Sequence, residues 1–174
     1  MLRALLLYLS RANWARNLVT HWPLAKRVAR RFVAGETEEE AIEAIRKLNA
    51  GGATATVDVL GESVTEEMEA VGMADQYLHL LDSIRLSGVD AWVSLKLTAL
   101  GLDISPELCI NNLQHVLEKA REHDLVVTID MEDHTYTQRT LDMLRTLRDK
   151  YGFTNVRGVI QSYLYRSDDD IASL

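Results

Sequence analysis

The sequence predicts an α/β fold in which parallel strands alternate with helices. Four apolar, β-branched runs of strand length begin 32 to 38 residues apart, and a helical pattern separates each run from the next. Strands at this spacing are joined by crossover helices, so neighbouring strands run parallel. The runs are apolar almost throughout, which is typical of strands buried on both faces. An open doubly wound sheet and part of a (β/α)8 barrel both fit this pattern.

The predicted elements have recognisable ends. The strands are ATATVDVL, AWVSLKL, LVVTIDM and RGVIQSYL, at 53–60, 91–97, 125–131 and 157–164. N-cap candidates are Thr37, Ser63 and Ser105, the first in a capping box with Glu40 and the last followed by Pro106. The helices are AIEAIRKLN (41–49) after its capping box, 66–87, 107–122 and 135–150, with glycine stops at Gly51, Gly88 and Gly152.

Charge is unevenly distributed along the chain. The 174 residues are enough for one domain with a substantial core, and the net charge is −7. Residues 1–35 contain seven of the 19 basic residues and no acidic residue, and we predict a basic helical segment there. In the simplest interpretation its charges are solvated. There are two alternatives: a basic face that contacts an anionic membrane or nucleic acid, and a targeting segment.

The end of the sequence predicts an incomplete domain. Residues 36–174 supply only four βα units, whereas a complete barrel of this type needs about 250 residues. The final SDDDIASL has the pattern of a helix that has just begun. We therefore expect 36–174 to be the N-terminal half of a larger fold, cut after its fourth strand.

Some kinds of site are absent from the sequence. There is no G-x-G-x-x-G fingerprint, no Walker A loop and no G-x-S-x-G elbow. One cysteine, Cys109, cannot form an internal disulfide. The five histidines lack the spacing of metal ligands, so no metal site is predicted.

Polar side chains occur near the carboxyl end of every predicted strand, where α/β folds place their chemistry. Lys96 is the most informative, because it lies between Leu95 and Leu97 in a run otherwise suited to a barrel strand. A buried lysine needs a negative partner or loses its charge, and we expect Asp130 or Glu62 to supply one. A purely structural ion pair, or a lysine head that reaches the rim, are the alternatives.

The stretch VVTIDMED (126–133) contains three acids with different predicted roles. Asp130 is the last residue of the apolar run, so it is the one expected to be desolvated and to act in a site. Glu132 shares its parity and is predicted to lie above it at the mouth. Asp133 is predicted only to open the next helix. Near the end of strand four, Gln161 can both donate and accept, which suits the edge of a heterocyclic ring such as a flavin or a base. A hydrogen bond to a neighbouring strand end is the alternative.

The sequence contains four motifs at the strand ends, which follow one another in a fixed order and spacing: LGES, VSLKLTALGLDIS, VTIDMED and VIQSYLYRSDDDI. In this arrangement they resemble the proline dehydrogenase family, in particular its monofunctional bacterial members. The resemblance extends upstream to FVAGETEEEAI and covers most of residues 30–174. It implies a partial (β/α)8 barrel of about four βα units, preceded by N-terminal helices, within a distorted barrel that holds FAD.

The resemblance also implies roles for individual residues. Lys96 is expected to pair with the carboxylate of proline, and Asp130 is expected to be the aspartate of the active site. Met131 and Gln161 match positions that contact the flavin. Glu62 matches a first-strand glutamate that forms ion pairs within the site.

The implied activity is FAD-dependent oxidation of L-proline to Δ1-pyrroline-5-carboxylate, with electrons passed to a membrane quinone. The implied location is the cytoplasm, with peripheral contact at the inner face of the cell membrane, and no nucleic-acid partner is expected. The family's later arginines and its Thr-His pair have no match in this sequence, so we expect the chain alone to bind FAD weakly or not at all and to lack turnover. There are two alternative functions: a Schiff-base lyase that uses Lys96, and a non-catalytic half-barrel that assembles with a partner.

Overall fold

The computed structural model describes residues 33–61 and 64–174. The predicted basic segment lies outside this part of the chain, apart from its last three residues, and so do Glu62 and Ser63. The chain divides into two units, Met1–Ala44 and Ile45–Leu174. The second unit contains the whole sheet.

Helices and strands alternate as the sequence predicts. The strands are β1 (Ala55–Asp58), β2 (Ala91–Leu95), β3 (Val127–Ile129) and β4 (Val156–Gly158). The helices are α1 (Glu38–Ala50), α2 (Glu67–Ser87), α3 (Pro106–Glu122), α4 (Thr137–Arg145) and α5 (Ser167–Ala172). A 3₁₀ turn, His134–Tyr136, precedes α4, and a π-helical segment, Thr146–Lys150, extends it.

The sheet is parallel, and its strands lie side by side in the order β1-β2-β3-β4. A doubly wound sheet reverses its strand order at a switch point, whereas a barrel adds each strand next to the previous one. The sequential order therefore confirms the partial (β/α)8 barrel and removes the doubly wound alternative.

One row across the sheet shows how the core forms. Val57, Val93, Val127 and Val156 stand opposite one another in register. Val93 and Val127 are fully buried, as are Leu95 and Ile129 on the same face. At the fourth strand a side chain on Gly158 would meet the Leu144 side chain of α4 at 2.7 Å, so glycine lets this helix lie directly on the strand.

The strands are shorter than predicted, which moves some polar residues just past strand ends. Lys96 and Asp130 are the first residues after β2 and β3, while Asp58 is the last residue of β1. The prediction of strand four over 157–164 was too long, because β4 is confined to Val156–Gly158. Gln161 therefore lies in the loop between β4 and α5.

The helix ends follow the predicted signals in most places. Ser105 caps α3 by accepting hydrogen bonds from the backbone N–H groups of Glu107 and Leu108, which confirms that prediction. The Thr37 hydroxyl accepts from the Glu40 N–H at 3.3 Å, as in the predicted capping box. The return bond is shifted by one residue, because the Glu40 carboxylate accepts from the N–H of Glu36 and not from that of Thr37. None of the helices in the described residues is long and apolar enough to cross a bilayer.

One end prediction needs correction. The N-cap of α2 is Glu66, which makes no side-chain capping bond, and the carboxylate of Glu69 instead accepts from the Thr65 N–H at 3.3 Å. The predicted helix over 135–150 is one continuous segment in three forms, 3₁₀, α and π. The stop at Gly88 is confirmed, because Gly88 is the left-handed C-cap of α2 with φ 65°.

Candidate active site at the carboxyl ends of the strands

The centre of the site is an ion pair between neighbouring strand ends. The Lys96 ammonium donates to Asp58 Oδ2 at 2.8 Å, and each side chain is 24% exposed. Strand register explains the approach: Asp58 stands opposite Ser94 on β2, two residues before Lys96, and side chains of the same parity share one face. The ammonium is therefore a half-buried cation held by a fixed carboxylate.

A tyrosine from α2 orients the carboxylate. Tyr77 is fully buried, and its hydroxyl donates to Asp58 Oδ1 at 2.7 Å. Burial, followed by the negative charge of Asp58, raises the pKa of Tyr77 far above its ordinary value. The phenol thus stays protonated and remains a donor, so one oxygen of Asp58 is committed to Tyr77 and the other to Lys96.

The structure assigns Lys96 a partner that the sequence analysis did not name. We expected Asp130 or Glu62, and the structure shows an ion pair with Asp58. Glu62 lies outside the described residues, so its predicted ion pairs stay predictions. Asp130 lies within electrostatic range of Tyr77, because its negative charge contributes to the raised pKa of that tyrosine.

Asp130 and Met131 occupy the end of β3. The Asp130 N–H donates to the Leu95 carbonyl at 2.8 Å, which extends the β2–β3 ladder past the last strand residue. Both residues are partly buried. The backbone of Asp130 is therefore fixed by the sheet, and both residues keep part of their surface exposed.

Glu132 connects β3 to β2 and to the loop after β4. Its carboxylate accepts from the Thr98 N–H at 3.1 Å and from the Thr98 hydroxyl at 2.5 Å. Its backbone carbonyl accepts from the Gln161 amide nitrogen at 2.9 Å. The residue predicted to lie at the mouth thus links three successive strand ends.

Asp133 behaves as predicted. Its carboxylate accepts from the Thr135 N–H at 3.0 Å and caps the turn that leads into α4. This bond lowers the pKa of Asp133, which keeps the cap charged at neutral pH. Of the three acids in the stretch, Asp133 therefore has a local structural role.

Gln161 carries a polar atom that has no hydrogen-bond partner in the described part of the chain. Its Oε1 is buried and accepts nothing, although its Nε2 is bonded to Glu132. Buried polar atoms are almost always paired. An acceptor in this state, at the carboxyl edge of the sheet, is a place where a ligand donor would be stabilised.

Sequence reasoning missed three residues of this arrangement, Asp58, Tyr77 and Thr98. Tyr77 lies among apolar residues of a helix, and its only signal is that a buried tyrosine usually needs a partner for its hydroxyl. Thr98 directly follows the predicted second strand, and nothing in the sequence marks it as the partner of Glu132. Cys109, in contrast, is inert: burial raises the pKa of its thiol to about 12, and the sulfur lies 3.6 Å from the Leu97 carbonyl oxygen.

Comparison with known proteins decides the family. The family model described as proline dehydrogenase matches residues 41–174. The chain belongs to the proline dehydrogenase family. This confirms the resemblance stated above, on three-quarters of the chain.

Relatives and solved structures agree with this family. The chain is 41% identical over 146 residues to proline dehydrogenase 1 of Bacillus subtilis subsp. natto, covering 84% of the chain and 48% of the relative. It is 36% identical over 172 residues to proline dehydrogenase 2 of Bacillus subtilis strain 168, covering 99% of the chain and 56% of the relative. The chain thus spans about half the length of the curated relatives it matches.

The fold has a counterpart among solved structures. Proline utilization A (PutA) from Bdellovibrio bacteriovorus, inactivated by N-propargylglycine, superposes with a TM-score of 0.79 at 25% identity. The match covers 92% of this chain and 19% of the PutA chain. The partial barrel of this proline dehydrogenase family member therefore corresponds to a segment of a much longer protein.

Proposed function

We propose that this chain supplies the lysine and aspartate side of a proline dehydrogenase active site, which oxidises L-proline to Δ1-pyrroline-5-carboxylate. The observation that carries the proposal is the Lys96 ammonium, fixed by Asp58 at the carboxyl edge of a family barrel. A positioned cation orients the carboxylate of an amino acid and so defines which ring atoms face the acceptor.

Asp130 is proposed to act on protons. The amine of proline must lose a proton before hydride leaves the ring, and a carboxylate at the adjacent strand end can take it. Asp130 is well suited because the ladder bond to Leu95 fixes its backbone while its side chain is only partly buried.

FAD is the proposed cofactor, and the residues present fit it in one respect. The Oε1 of Gln161, which has no partner in the described residues, can accept from an N–H of a flavin ring. Met131, next to Glu132 in the sequence, offers a polarisable side chain for packing. When bound, FAD supplies the acceptor for the two electrons that leave proline as hydride. Reoxidation by a quinone, in the cytoplasm at the inner face of the cell membrane, is proposed from the family resemblance alone.

The ion pair argues against the Schiff-base alternative. A lysine that forms a Schiff base must be a neutral amine, and such lysines are placed in apolar pockets or beside other cations. Lys96 is instead bound to a carboxylate at 2.8 Å, which favours its charged form.

Titration of the chain with L-proline tests the proposal. We expect proline to shift the amide NMR signals around Lys96 and Asp58, because its carboxylate docks on the ammonium. The Lys96→Met variant should weaken proline binding on the order of tenfold, the scale of a lost charged hydrogen bond. The matched control is Lys119→Met, which removes a lysine on α3 paired with Asp82 and far along the chain from the site.

Unchanged proline binding in the variant would contradict the proposal. If proline binds the Lys96→Met variant as tightly as the parent, the substrate role of Lys96 is wrong. A borohydride-trapped adduct on Lys96 would instead support the lyase alternative.

A further inference from the structure

Glu132 connects three strand ends through bonds of different kinds. Its side chain binds Thr98, which follows β2, and its backbone carbonyl binds Gln161, which follows β4. Thr98 is 1% exposed, so these bonds form largely away from water. Low solvent access makes such a network strong when it is complete.

Gln161 is held at two points. Its amide nitrogen is bonded to Glu132, and its backbone carbonyl accepts from the Ser167 hydroxyl at 2.6 Å, at the beginning of α5. These bonds fix both the main chain and the plane of the amide. They leave the buried Oε1 as the single acceptor of that amide without a partner in the described residues.

We propose that Thr98 and Glu132 are positioning residues that hold the Gln161 amide so that Oε1 presents a fixed acceptor. Neither residue needs to touch a ligand, because both act through the 130–133 loop. The identity of the ligand as flavin depends on the proposed function, whereas the positioning of Gln161 does not.

The network bonds the amide nitrogen and leaves Oε1 without a partner in the described residues. A buried acceptor without a donor destabilises the fold, so a donor supplied by a ligand would be stabilised at this preorganised amide.

The side-chain amide of Gln161 provides a direct measurement in the chain as it exists. In NMR spectra its two protons should be well separated and exchange slowly with solvent, because one of them is bonded to Glu132. The Thr98→Val substitution removes one donor to Glu132 and should speed this exchange about tenfold, the scale of one charged hydrogen bond. Thr98→Ser keeps the hydroxyl and should restore slow exchange.

Matched variants separate positioning from general loosening. Thr135→Val is the same substitution in the 3₁₀ turn that follows Glu132, but Thr135 is exposed and its hydroxyl binds Asp133, so Gln161 should be unaffected. If Thr98→Val disturbs folding, Glu132→Gln preserves size and backbone and should still speed the exchange. Exchange at Gln161 that is unchanged in both Thr98→Val and Glu132→Gln would overturn the proposal.

A second readout concerns the ligand. Titration with FAD, followed by flavin fluorescence, should show weaker binding by Thr98→Val and parent-like binding by Thr98→Ser and Thr135→Val. If the Gln161 signals respond but flavin affinity does not change, the positioning is correct and the flavin assignment of the proposed function is wrong. A parent chain without measurable FAD affinity is the result expected of half a barrel, and the NMR exchange at Gln161 then decides the positioning by itself.

Discussion

At the residue scale, Asp58 is the residue on which the site geometry depends. One carboxylate oxygen binds the Lys96 ammonium and the other binds the Tyr77 hydroxyl. A bidentate acceptor of this kind cannot be replaced by an amide without reversing one of the two bonds. The position of Lys96 is therefore set by a residue of β1 and by a residue of α2 acting through it.

The Asp58→Asn substitution tests this dependence. The half-buried Lys96 loses its opposite charge, and we expect unfolding to become easier by about 1–2 kcal/mol, measured by urea denaturation. Tyr77 should also titrate at lower pH, because the charge of Asp58 contributes to its raised pKa.

The control is Asp142→Asn. Asp142 pairs with Arg145 on the surface of α4, where its side chain is 60% exposed, so the change should stay within about 0.5 kcal/mol. Equal losses for the two variants would show that the Lys96 pair is no more than a surface ion pair.

Some of this site is encoded locally. Lys96 and Asp130 were expected at strand ends because each interrupts or ends an apolar run, and the structure places both directly after their strands. Asp58 and Tyr77 could not be paired from sequence, because a helical tyrosine offers no sign of which strand end its hydroxyl reaches.

At the element scale, two long helices end in the same backbone conformation with different residues. Gly88, after α2, has φ 65°, and Asp124, after α3, has φ 57°. Left-handed backbone costs glycine nothing, whereas a side chain makes it unfavourable. The sequence predicted the glycine stop at Gly88 and also the end of α3 at residue 122, but nothing in it signalled the left-handed backbone of Asp124.

Reciprocal substitutions should have opposite effects. Gly88→Asp places a side chain in the left-handed region and should destabilise the fold by about 1 kcal/mol. Asp124→Gly removes that strain and should stabilise by about 0.5 kcal/mol, since added chain entropy offsets part of the gain.

Urea denaturation of both variants measures this pair. No neighbouring atom lies within 4 Å of a Cβ at Gly88, so a loss there reflects backbone conformation and not a clash. Destabilisation by Asp124→Gly would show that the carboxylate of Asp124 contributes more than its strained backbone costs.

At the scale of the whole molecule, stability comes from the helix-covered face of the sheet. Leu113, Val116 and Leu117 of α3 are fully buried, together with Val93 and Val127. This burial follows from apolar residues at helical spacing on α3, which packs against α2, and from the apolar runs of β2 and β3.

Leu117→Ala is expected to cost about 3 kcal/mol, because it removes buried methyl groups and leaves a cavity. Leu86→Ala is the matched control, since Leu86 is also on a long helix but is 87% exposed, and its effect should stay within about 0.5 kcal/mol. Denaturation midpoints of both variants give the comparison, and a small loss at Leu117 would mean that this face is loosely packed.

The sequence alone determined the alternation of strands and helices, the Ser105 cap and the polar residues at strand ends. These features depend on local preferences and on periodicity within one segment. The strand order β1-β2-β3-β4, the choice of Asp58 as partner of Lys96, and the link from Thr98 through Glu132 to Gln161 were decided only by the tertiary structure. The physical reason is that each joins residues about 30 or more positions apart, whose proximity arises when strands pair side by side and is not encoded in any single segment.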